Sequence, residues 1–372
     1  MTRIVVGAAI IIASHAAMAA ASPTMIRLGY PDCASCHVSR QGGGLLTPYG
    51  KGIDEAQSLR AREIPPVEGP GPRLLYDVRF VAATQLAASH ATDTRTTAST
   101  FRLYLRSALN LNQRHRLNYA AGLESPPLSS TNRAPGTSTA ANVVVAKALW
   151  EYQSTESLQL AVGRDEMPSG IGLPDPLTFM RRGSDPGNTS YPTQAKAFWH
   201  NSRLELTPYV FGPGGDEAAN AQQFGAGVVA GVSVRNNLVV GMSARSAHAV
   251  NESGFDRRSV GAFARLGFGK WGILAEHDLS SRMAAALPST RYMAGHTQVF
   301  FAPVEWLVTS LGAEHLVTEG PSPGHVYRLA PGVQARLSNN LTLIFNTRDV
   351  FTGIAAGRTR TYSLQVAVKS VQ

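Results

Sequence analysis

The only two cysteines of the chain stand three positions apart and are followed at once by a histidine, in the run Cys33-Ala34-Ser35-Cys36-His37. C-x-x-C-H is the attachment sequence of c-type haem. Two thiols at this spacing can add to the two vinyl groups of haem, and the adjacent imidazole then reaches the iron as its proximal ligand. The sequence therefore predicts one covalent c-type haem, bound through Cys33 and Cys36, with His37 on the iron.

The plainer alternatives for paired cysteines are a lone disulfide or half of a zinc site. A zinc site of the C-x-x-C type needs a second pair of ligands at motif spacing, and the sequence holds no further cysteine to supply a thiolate. A redox-active C-x-x-C is expected beside a βαβ pattern, and none follows here. The haem interpretation accounts for all three motif residues together.

The sixth ligand of the iron stays open on the sequence. Met25 is the one methionine of the mature haem segment, and it precedes the motif; the next methionine is Met167. The other candidates are a later histidine, such as His90, His115 or His200, or no protein ligand at all. Two histidines would give a low haem potential, whereas a methionine would raise it.

Composition divides the chain around this motif. Residues 1–21 have a basic start, an apolar stretch and small residues at the end, which predicts a cleaved secretory signal; a retained anchor is the alternative. Residues 22–62 form the haem segment, in which residues 53–62 have the spacing of one short helix. Residues 63–72 hold four prolines and two glycines and form a linker. Residues 73–372 form the second domain.

From residue 73 onward, apolar and polar residues alternate in short stretches separated by turn residues, which is typical of β-strands with one apolar and one polar face. Leu103 and Leu105 share one face of such a stretch, and Arg102 and Arg106 share the other. About fifteen of these segments follow one another, and the stretch 195–211 is expected to turn near Asn201-Ser202 and hold two strands. The sequence thus predicts an all-β fold of about sixteen strands.

Three features favour a transmembrane antiparallel β-barrel over a soluble sandwich or propeller. Arginine recurs on the polar face, where a wet lumen accepts it more easily than a soluble core does. Tight turns alternate with longer loops at 87–99, 125–139, 166–194, 248–257, 280–290, 317–323 and 351–357, as in outer-membrane barrels with short periplasmic turns. No apolar run after the signal is long enough for a membrane helix. We expect both barrel ends in the periplasm, with the haem segment there or in the barrel mouth.

A signal peptide, one C-x-x-C-H unit at Cys33, Cys36 and His37, a short haem segment and then a porin-like barrel together resemble the fused monohaem cytochrome–porin proteins. The best-known members of that family are outer-membrane iron oxidases. The resemblance covers the architecture of the whole mature chain, with glycine-rich stretches at 42–50 and 163–173 as shared features. It implies electron transfer through the outer membrane, from an extracellular donor such as Fe(II) to a periplasmic carrier such as a small cytochrome.

Three functional hypotheses follow. The first is an electron conduit, an iron:cytochrome c oxidoreductase if the donor is Fe(II). The 165–185 loop would hold that ion briefly through hard oxygen ligands, with Asp165, Glu166, Asp175 and Asp185 as the candidates. The second is a porin whose haem has a sensing or assembly role, and the third is a haem enzyme with an open sixth site. The net charge of +9 also fits nucleic-acid binding, but the arginines are spread along strands. The expected partners are the two redox partners and outer-membrane lipid, with no nucleic acid.

Overall fold

The computed structural model describes residues 23–40, 45–60, 73–89, 94–124, 142–171, 191–215, 221–252, 254–284, 287–352 and 357–370. The predicted signal 1–21, the glycine run 42–44 and the linker 63–72 lie outside these residues. A 3₁₀ helix spans Pro23–Leu28 and α1 spans Pro48–Ala56. In the described part of the chain, no helix is long and apolar enough to cross a membrane.

Sixteen strands follow the two helices in the described residues. Their bounds are β1 Leu74–Ser89, β2 Thr94–Asn110, β3 His115–Glu124, β4 Asn142–Gln153, β5 Leu158–Arg164, β6 Thr193–His200, β7 Leu204–Gly212, β8 Gln223–Arg235, β9 Leu238–Ala249, β10 Asp256–Phe268, β11 Trp271–Ala284, β12 Leu287–Val304, β13 Leu307–Glu319, β14 Gly324–Arg336, β15 Leu341–Thr352 and β16 Gly357–Lys369. Each strand pairs antiparallel with the next, and β16 pairs with β1, so the sheet closes into a barrel. The predicted all-β barrel of about sixteen strands is confirmed.

The alternation in the sequence decides which face of each strand meets the lumen. On β1, Tyr76, Val78 and Phe80 are exposed on the outer surface, whereas Asp77 and Arg79 are buried inside. An apolar outer face is what a lipid environment requires, and the polar inner face is what a barrel lumen accepts. Because the backbone groups of a closed sheet all pair between strands, the barrel leaves no open edge.

The expected hairpin inside 195–211 is present, because β6 ends at His200 and β7 begins at Leu204. Asn201 makes this turn possible, since its side-chain oxygen accepts hydrogen bonds from the backbone amides of Arg203 and Leu204, both at 2.8 Å. Such an Asx turn supplies the backbone partners that two strands in so short a stretch would otherwise lack.

Five of the expected long loops are wrong in length, because the strands extend into them: 87–99, 248–257, 280–290, 317–323 and 351–357. The connection expected over 87–99 is confined to residues 90–93, because β1 runs to Ser89 and pairs there with Thr94. The loops expected over 280–290 and 317–323 are shortened in the same way by β11, β12 and β13. These strand ends carry polar residues on both faces, so the apolar alternation that marks a lipid-facing strand is absent from them.

The helix of the haem segment also begins earlier than the expected stretch 53–62. Thr47 caps α1, because its hydroxyl oxygen accepts a hydrogen bond from the amide of Gly50 at 3.0 Å, and Pro48 takes the first helical position. A threonine cap followed by proline is a helix-start signal, and it sets the start of α1 earlier than the apolar spacing of residues 53–62 predicts.

The two ends of the barrel differ. The tight turns lie at the end where β1 begins, here called the short-turn end, and the longer connections lie at the other, the long-loop end. All four tryptophans are close to the short-turn end: Trp150, Trp199, Trp271 and Trp306. Amphipathic aromatic rings concentrate where a membrane meets water, so this set marks a membrane boundary just inside the tight turns.

Candidate functional site in the barrel mouth

The C-x-x-C-H motif forms a single helical turn. The amides of Cys36 and His37 both donate to the carbonyl of Cys33, at 3.3 and 2.9 Å. Asp32 begins the turn, because its Oδ1 accepts from the amide and the hydroxyl of Ser35, at 2.9 and 3.0 Å. Residues three and four apart are neighbours on such a turn, so Cys36 and His37 both lie close to Cys33.

The rest of the haem segment holds the motif through the backbone of Cys36. The carbonyl of Cys36 accepts from the amide of Thr47 at 2.9 Å and from its hydroxyl at 3.3 Å. Gly50 of α1 packs on the same carbonyl so closely that a β-carbon there would stand 2.0 Å from the oxygen. His37 and Leu46 form an antiparallel bridge. The motif is thus fixed between its own turn and α1.

The 3₁₀ helix attaches the segment to the inside of β10 and its neighbours. A β-carbon on Gly267 would stand 2.4 Å from the Cα atom of Arg27, so the helix backbone rests directly on the barrel wall. Ile26 is 2% exposed and packs in a lumenal apolar cluster with Phe263, Leu274 and other residues. The guanidinium of Arg27 lies 2.6 Å from the carboxylate of Glu305 in the β12–β13 turn.

The C-terminal end of α1 is attached on the opposite part of the wall. Asp54 forms ion pairs with Arg336 of β14, at 3.3 Å, and with Lys369 of β16. The amide of Leu59 donates to the carbonyl of Arg336 at 2.8 Å. Burial alone would raise the pKa of Asp54, but Lys369 and Arg336 outweigh it and hold the pKa of this carboxyl below its usual value.

A third contact ties the motif to β3. Arg116 donates from Nη1 to the carbonyl of Val38 at 2.9 Å, one residue after the motif histidine. With the attachments on β10, β14 and β16, the segment contacts strands around much of the circumference. The described residues of 23–60 therefore contact the barrel at its short-turn end.

Cys33 faces a charged pair on the barrel wall. Arg265 of β10 lies near the Cys33 thiol, and its guanidinium is 3.9 Å from the carboxylate of Glu205 on β7. Burial raises the pKa of both motif thiols, and Arg265 opposes that rise at Cys33. Both thiols are therefore protonated at neutral pH, and neither is in a disulfide.

These features fit a covalent haem. Neither cysteine is in a disulfide, and one helical turn brings Cys36 and His37 close to Cys33. His37 is 2% exposed, so its ring is directed into the protein and away from bulk water. A disulfide, the plainest alternative, is absent from the structure. Cys33, Cys36 and His37 as haem ligands remain a prediction that the arrangement supports.

The candidates for the sixth ligand separate by position. The sulfur of Met25 accepts a hydrogen bond from Gln57 at 3.3 Å, within the haem segment. His115 stacks on the outward-facing Trp150, with ring centroids 5.6 Å apart, so it cannot reach a haem in the mouth. His200 pairs in register with Glu205, on the same side as Cys33. His90 lies outside the described residues, so Met25 and His200 remain candidates.

The connection after β5 enters the lumen from the long-loop end. The carboxylate of Asp165 forms ion pairs with two lysine ammonium groups, those of Lys147 at 3.0 Å and Lys196 at 2.6 Å. Farther on, the amide of Ile171 donates to Oε2 of Glu276 at 3.0 Å, and Ile171 joins the apolar cluster that buries Ile26. This inward loop, residues 165–171, thus meets the haem segment inside the barrel.

The contacts of Asp165 do not favour the Fe(II) site that the acidic residues of this loop suggested. The carboxylate of Asp165 is neutralised by two ammonium groups, which compete with any cation. Asp175 and Asp185 of the same loop lie outside the described residues. Over the ranges that the structure describes, no group of three or more His, Cys, Asp or Glu residues is placed to hold a metal ion.

Several residues of the site carry no signal in the sequence. Gly267 packs against the backbone of the 3₁₀ helix, and Asp54 forms ion pairs with the barrel wall. Neither residue belongs to a recognisable sequence motif. Arg265 was expected on the polar face of its strand, but its contact with Cys33 depends on how the segment docks. Gly50 belongs to the glycine-rich stretch 42–50, but nothing in the sequence singles it out as the residue that packs on the Cys36 carbonyl.

Comparison with known proteins identifies the fold. No protein-family model matches the chain, and no curated protein matches it in sequence. Among solved structures, the anion-selective porin from Comamonas acidovorans is similar at a TM-score of 0.58 and 11% identity, over 80% of this chain and 100% of that one. OmpT, an outer membrane protein of Vibrio cholerae, is similar at 0.58 and 11%, over 80% and 100%. The outer membrane channel DcaP of Acinetobacter baumannii gives 0.56 and 9%, over 80% and 96%. The chain has the fold of the sixteen-stranded outer-membrane porins.

Proposed function

We propose that the chain is an outer-membrane cytochrome–porin that carries one c-type haem in its periplasmic mouth and passes electrons between an extracellular donor and a periplasmic carrier. The observation that supports it most is the C-x-x-C-H turn, held across the mouth of a barrel by contacts with β3, β10, β14 and β16. A haem bound there would accept and release one electron. Fe(II) is one donor that fits this chemistry.

The chain's own residues would hold the haem in place. Cys33 and Cys36 would form the two thioether bonds, and His37 would bind the iron from the buried side of the turn. Gly50 and Thr47 fix the backbone of Cys36, so the thioether positions cannot drift relative to α1. The Arg265 guanidinium and the Glu205 carboxylate would both lie near Cys33, so the chain supplies one charge of each sign beside the site.

The test is haem reduction in intact cells that carry the protein. Fe(II) and, separately, a membrane-impermeant reductant too large for a porin are added while the haem absorption bands are recorded. Rapid reduction by both supports electron transfer across the membrane. Reduction only after the cells are broken refutes it.

Two variants establish the haem itself. Cys33→Ser and Cys36→Ser together remove both thioether bonds, so the protein should lose haem that survives denaturing electrophoresis. His37→Ala should keep the covalent stain but change the absorption bands, because the thioethers remain and the proximal ligand is lost. Ala34→Ser, at the other variable position of the same turn, is the matched control and should leave both properties intact.

A second candidate is a solute channel in which the haem senses redox state or helps assembly. The similarity of the fold to an anion-selective porin and to an outer membrane channel supports it. Conductance in a planar lipid bilayer separates the two: a conduit whose mouth is crossed by the haem segment should conduct little, and a porin should conduct readily. A haem enzyme with an open sixth site would instead show high-spin haem that binds carbon monoxide.

A further inference from the structure

We propose that the short-turn end of the barrel, together with the exposed face of the haem segment, is the docking surface for a soluble redox protein with an acidic surface. This inference rests on the proposed electron transfer and names the chemical class of the periplasmic partner.

Exposed cationic side chains surround this end. Four of them stand in or beside tight turns between consecutive strands, and two more flank the haem segment and the start of β1. All six are exposed: Arg60, Arg73, Arg114, Arg203, Arg235 and Lys270. They lie beyond the tryptophans that mark the membrane boundary, in the aqueous or headgroup zone. Four of the seven tight turns therefore carry an exposed cation in or beside them.

Few carboxylates offset this charge. Among the described residues of this end, the exposed acidic side chains are Glu156 and Glu305, and Glu305 is already paired with Arg27 at 2.6 Å. In the described part of the long-loop end, the four exposed cations and two exposed acids are Arg95, Arg258, Arg282, Arg291, Glu252 and Glu319. The excess of exposed cations is therefore larger at the short-turn end, and a more positive field there attracts and orients an acidic partner.

Apolar side chains lie at the centre of the cationic ring. Tyr49, Leu59 and Leu28 of the haem segment are 54%, 50% and 40% exposed. The hydroxyl of Tyr49 lies 2.6 Å from that of Tyr30, and Tyr49 precedes Gly50, which packs on the motif. An apolar centre with a charged rim is the anatomy of a protein–protein contact, and a small one is usual for redox encounters.

The position of this apolar centre favours a protein over lipid. Anionic lipid headgroups reach the outer side of the turns, but Tyr49 and Leu59 belong to the segment that crosses the mouth inside them. A partner that covers both the centre and the ring has to approach along the barrel axis from the aqueous side. That approach also brings it against the C-x-x-C-H turn.

The test measures binding, so it does not depend on electron transfer. The holoprotein is placed in lipid nanodiscs of zwitterionic lipid, and dye-labelled mitochondrial cytochrome c is added in two forms, native and succinylated. Succinylation replaces the positive charges of lysine with negative ones on the same protein. We expect the succinylated probe to bind at low ionic strength and the native probe not to bind. We expect 0.5 M salt to abolish binding, because the Debye screening length is already only about 8 Å at 0.15 M ionic strength.

Matched variants locate the surface. Arg114→Gln, Arg203→Gln and Arg235→Gln together should weaken binding of the succinylated probe about tenfold at low ionic strength, the lower end of steering effects. Arg95→Gln, Arg258→Gln and Arg291→Gln together remove the same charge from exposed positions at the long-loop end, and should leave binding unchanged.

Each contrary outcome overturns the proposal in its own way. Equal weakening by both triple variants would show that only net charge matters. Stronger binding of native than of succinylated cytochrome c would show that the surface is negatively charged. Loss of the succinylated probe once phosphatidylglycerol is added to the discs would assign the arginines to lipid headgroups. Failure of the proposed electron transfer is a separate result, seen as haem that intact cells cannot reduce while the probe still binds.

Discussion

Replacement of Gly267 by alanine should release the 3₁₀ helix from the barrel wall without unfolding the barrel. The new β-carbon would stand 2.4 Å from both the Cα and the amide nitrogen of Arg27, whereas carbon atoms pack at about 3.5–4.0 Å. These are backbone atoms, so a rotamer change cannot relieve the contact. The helix has to move away by more than 1 Å, roughly the difference between these distances.

The cost of that movement sets the size of the effect. Overpacking of this kind costs about 1–3 kcal/mol, and full release would expose Ile26, whose burial is worth about 1.5–3 kcal/mol. A loss of about 1–3 kcal/mol lowers the ratio of docked to undocked segment about 5- to 150-fold. The paired amides of Gly29 and Tyr30, which donate to Ile26 and Met25, should exchange hydrogen faster by that factor.

Hydrogen exchange measured by mass spectrometry on peptides from residues 23–30 provides the readout. Peptides from β12 serve as the internal reference, because the barrel itself should keep its protection. Gly324→Ala is the matched control, since a β-carbon there meets no atom within 4 Å. Unchanged exchange in residues 23–30 of the Gly267→Ala protein would refute the docking described above, as would equal acceleration in the control.

Three further changes test other parts of the arrangement. Gly50→Ala should shift α1 away from the Cys36 carbonyl and alter the haem absorption bands; bands identical to those of the parent protein would contradict this. Asp54→Asn should speed exchange in α1 at neutral pH. Because the pKa of Asp54 is lowered in the folded protein, its stabilisation is complete above about pH 4, is lost as pH falls further, and should be missing from the variant at every pH. Glu276→Gln weakens the hydrogen bond from the Ile171 amide and should raise bilayer conductance; an unchanged value would show that the inward loop does not limit the lumen.

The sequence was sufficient for the barrel because lipid imposes a strict period of two on every strand. Even the hairpin inside 195–211 followed from the requirement for an even strand number, and Asn201 supplied the turn. The strand ends beyond the membrane were missed for the complementary reason. Water on both sides removes the apolar alternation, so the extension of β1 to Ser89 leaves no trace in the hydrophobic pattern.

The candidate site was predictable only in part. The chemistry of Cys33, Cys36 and His37 is local, because one helical turn brings the three side chains together whatever surrounds them. The position of that turn depends instead on distant pairs such as Asp54 with Arg336, which are 282 residues apart. No periodicity records such a pair, so the sequence could place the segment near the mouth but could not say what holds it.

One contact inside the lumen bears on both candidate functions, electron transfer and solute conductance. The haem segment enters from the short-turn end and the inward loop from the other, and they meet where Ile26 and Ile171 share an apolar cluster with Phe263. A dry contact of this kind obstructs ions and water, because neither gains a polar partner on crossing it. The same contact connects the long-loop end to the haem segment through packed protein, seven positions before Cys33 along the chain. In the proposed conduit, low conductance and access of an outside donor to the haem would therefore depend on the same few side chains. Loosening the inward loop at Glu276 should raise conductance and slow haem reduction by an impermeant donor together; a rise in conductance with unchanged reduction would show that electrons take another path.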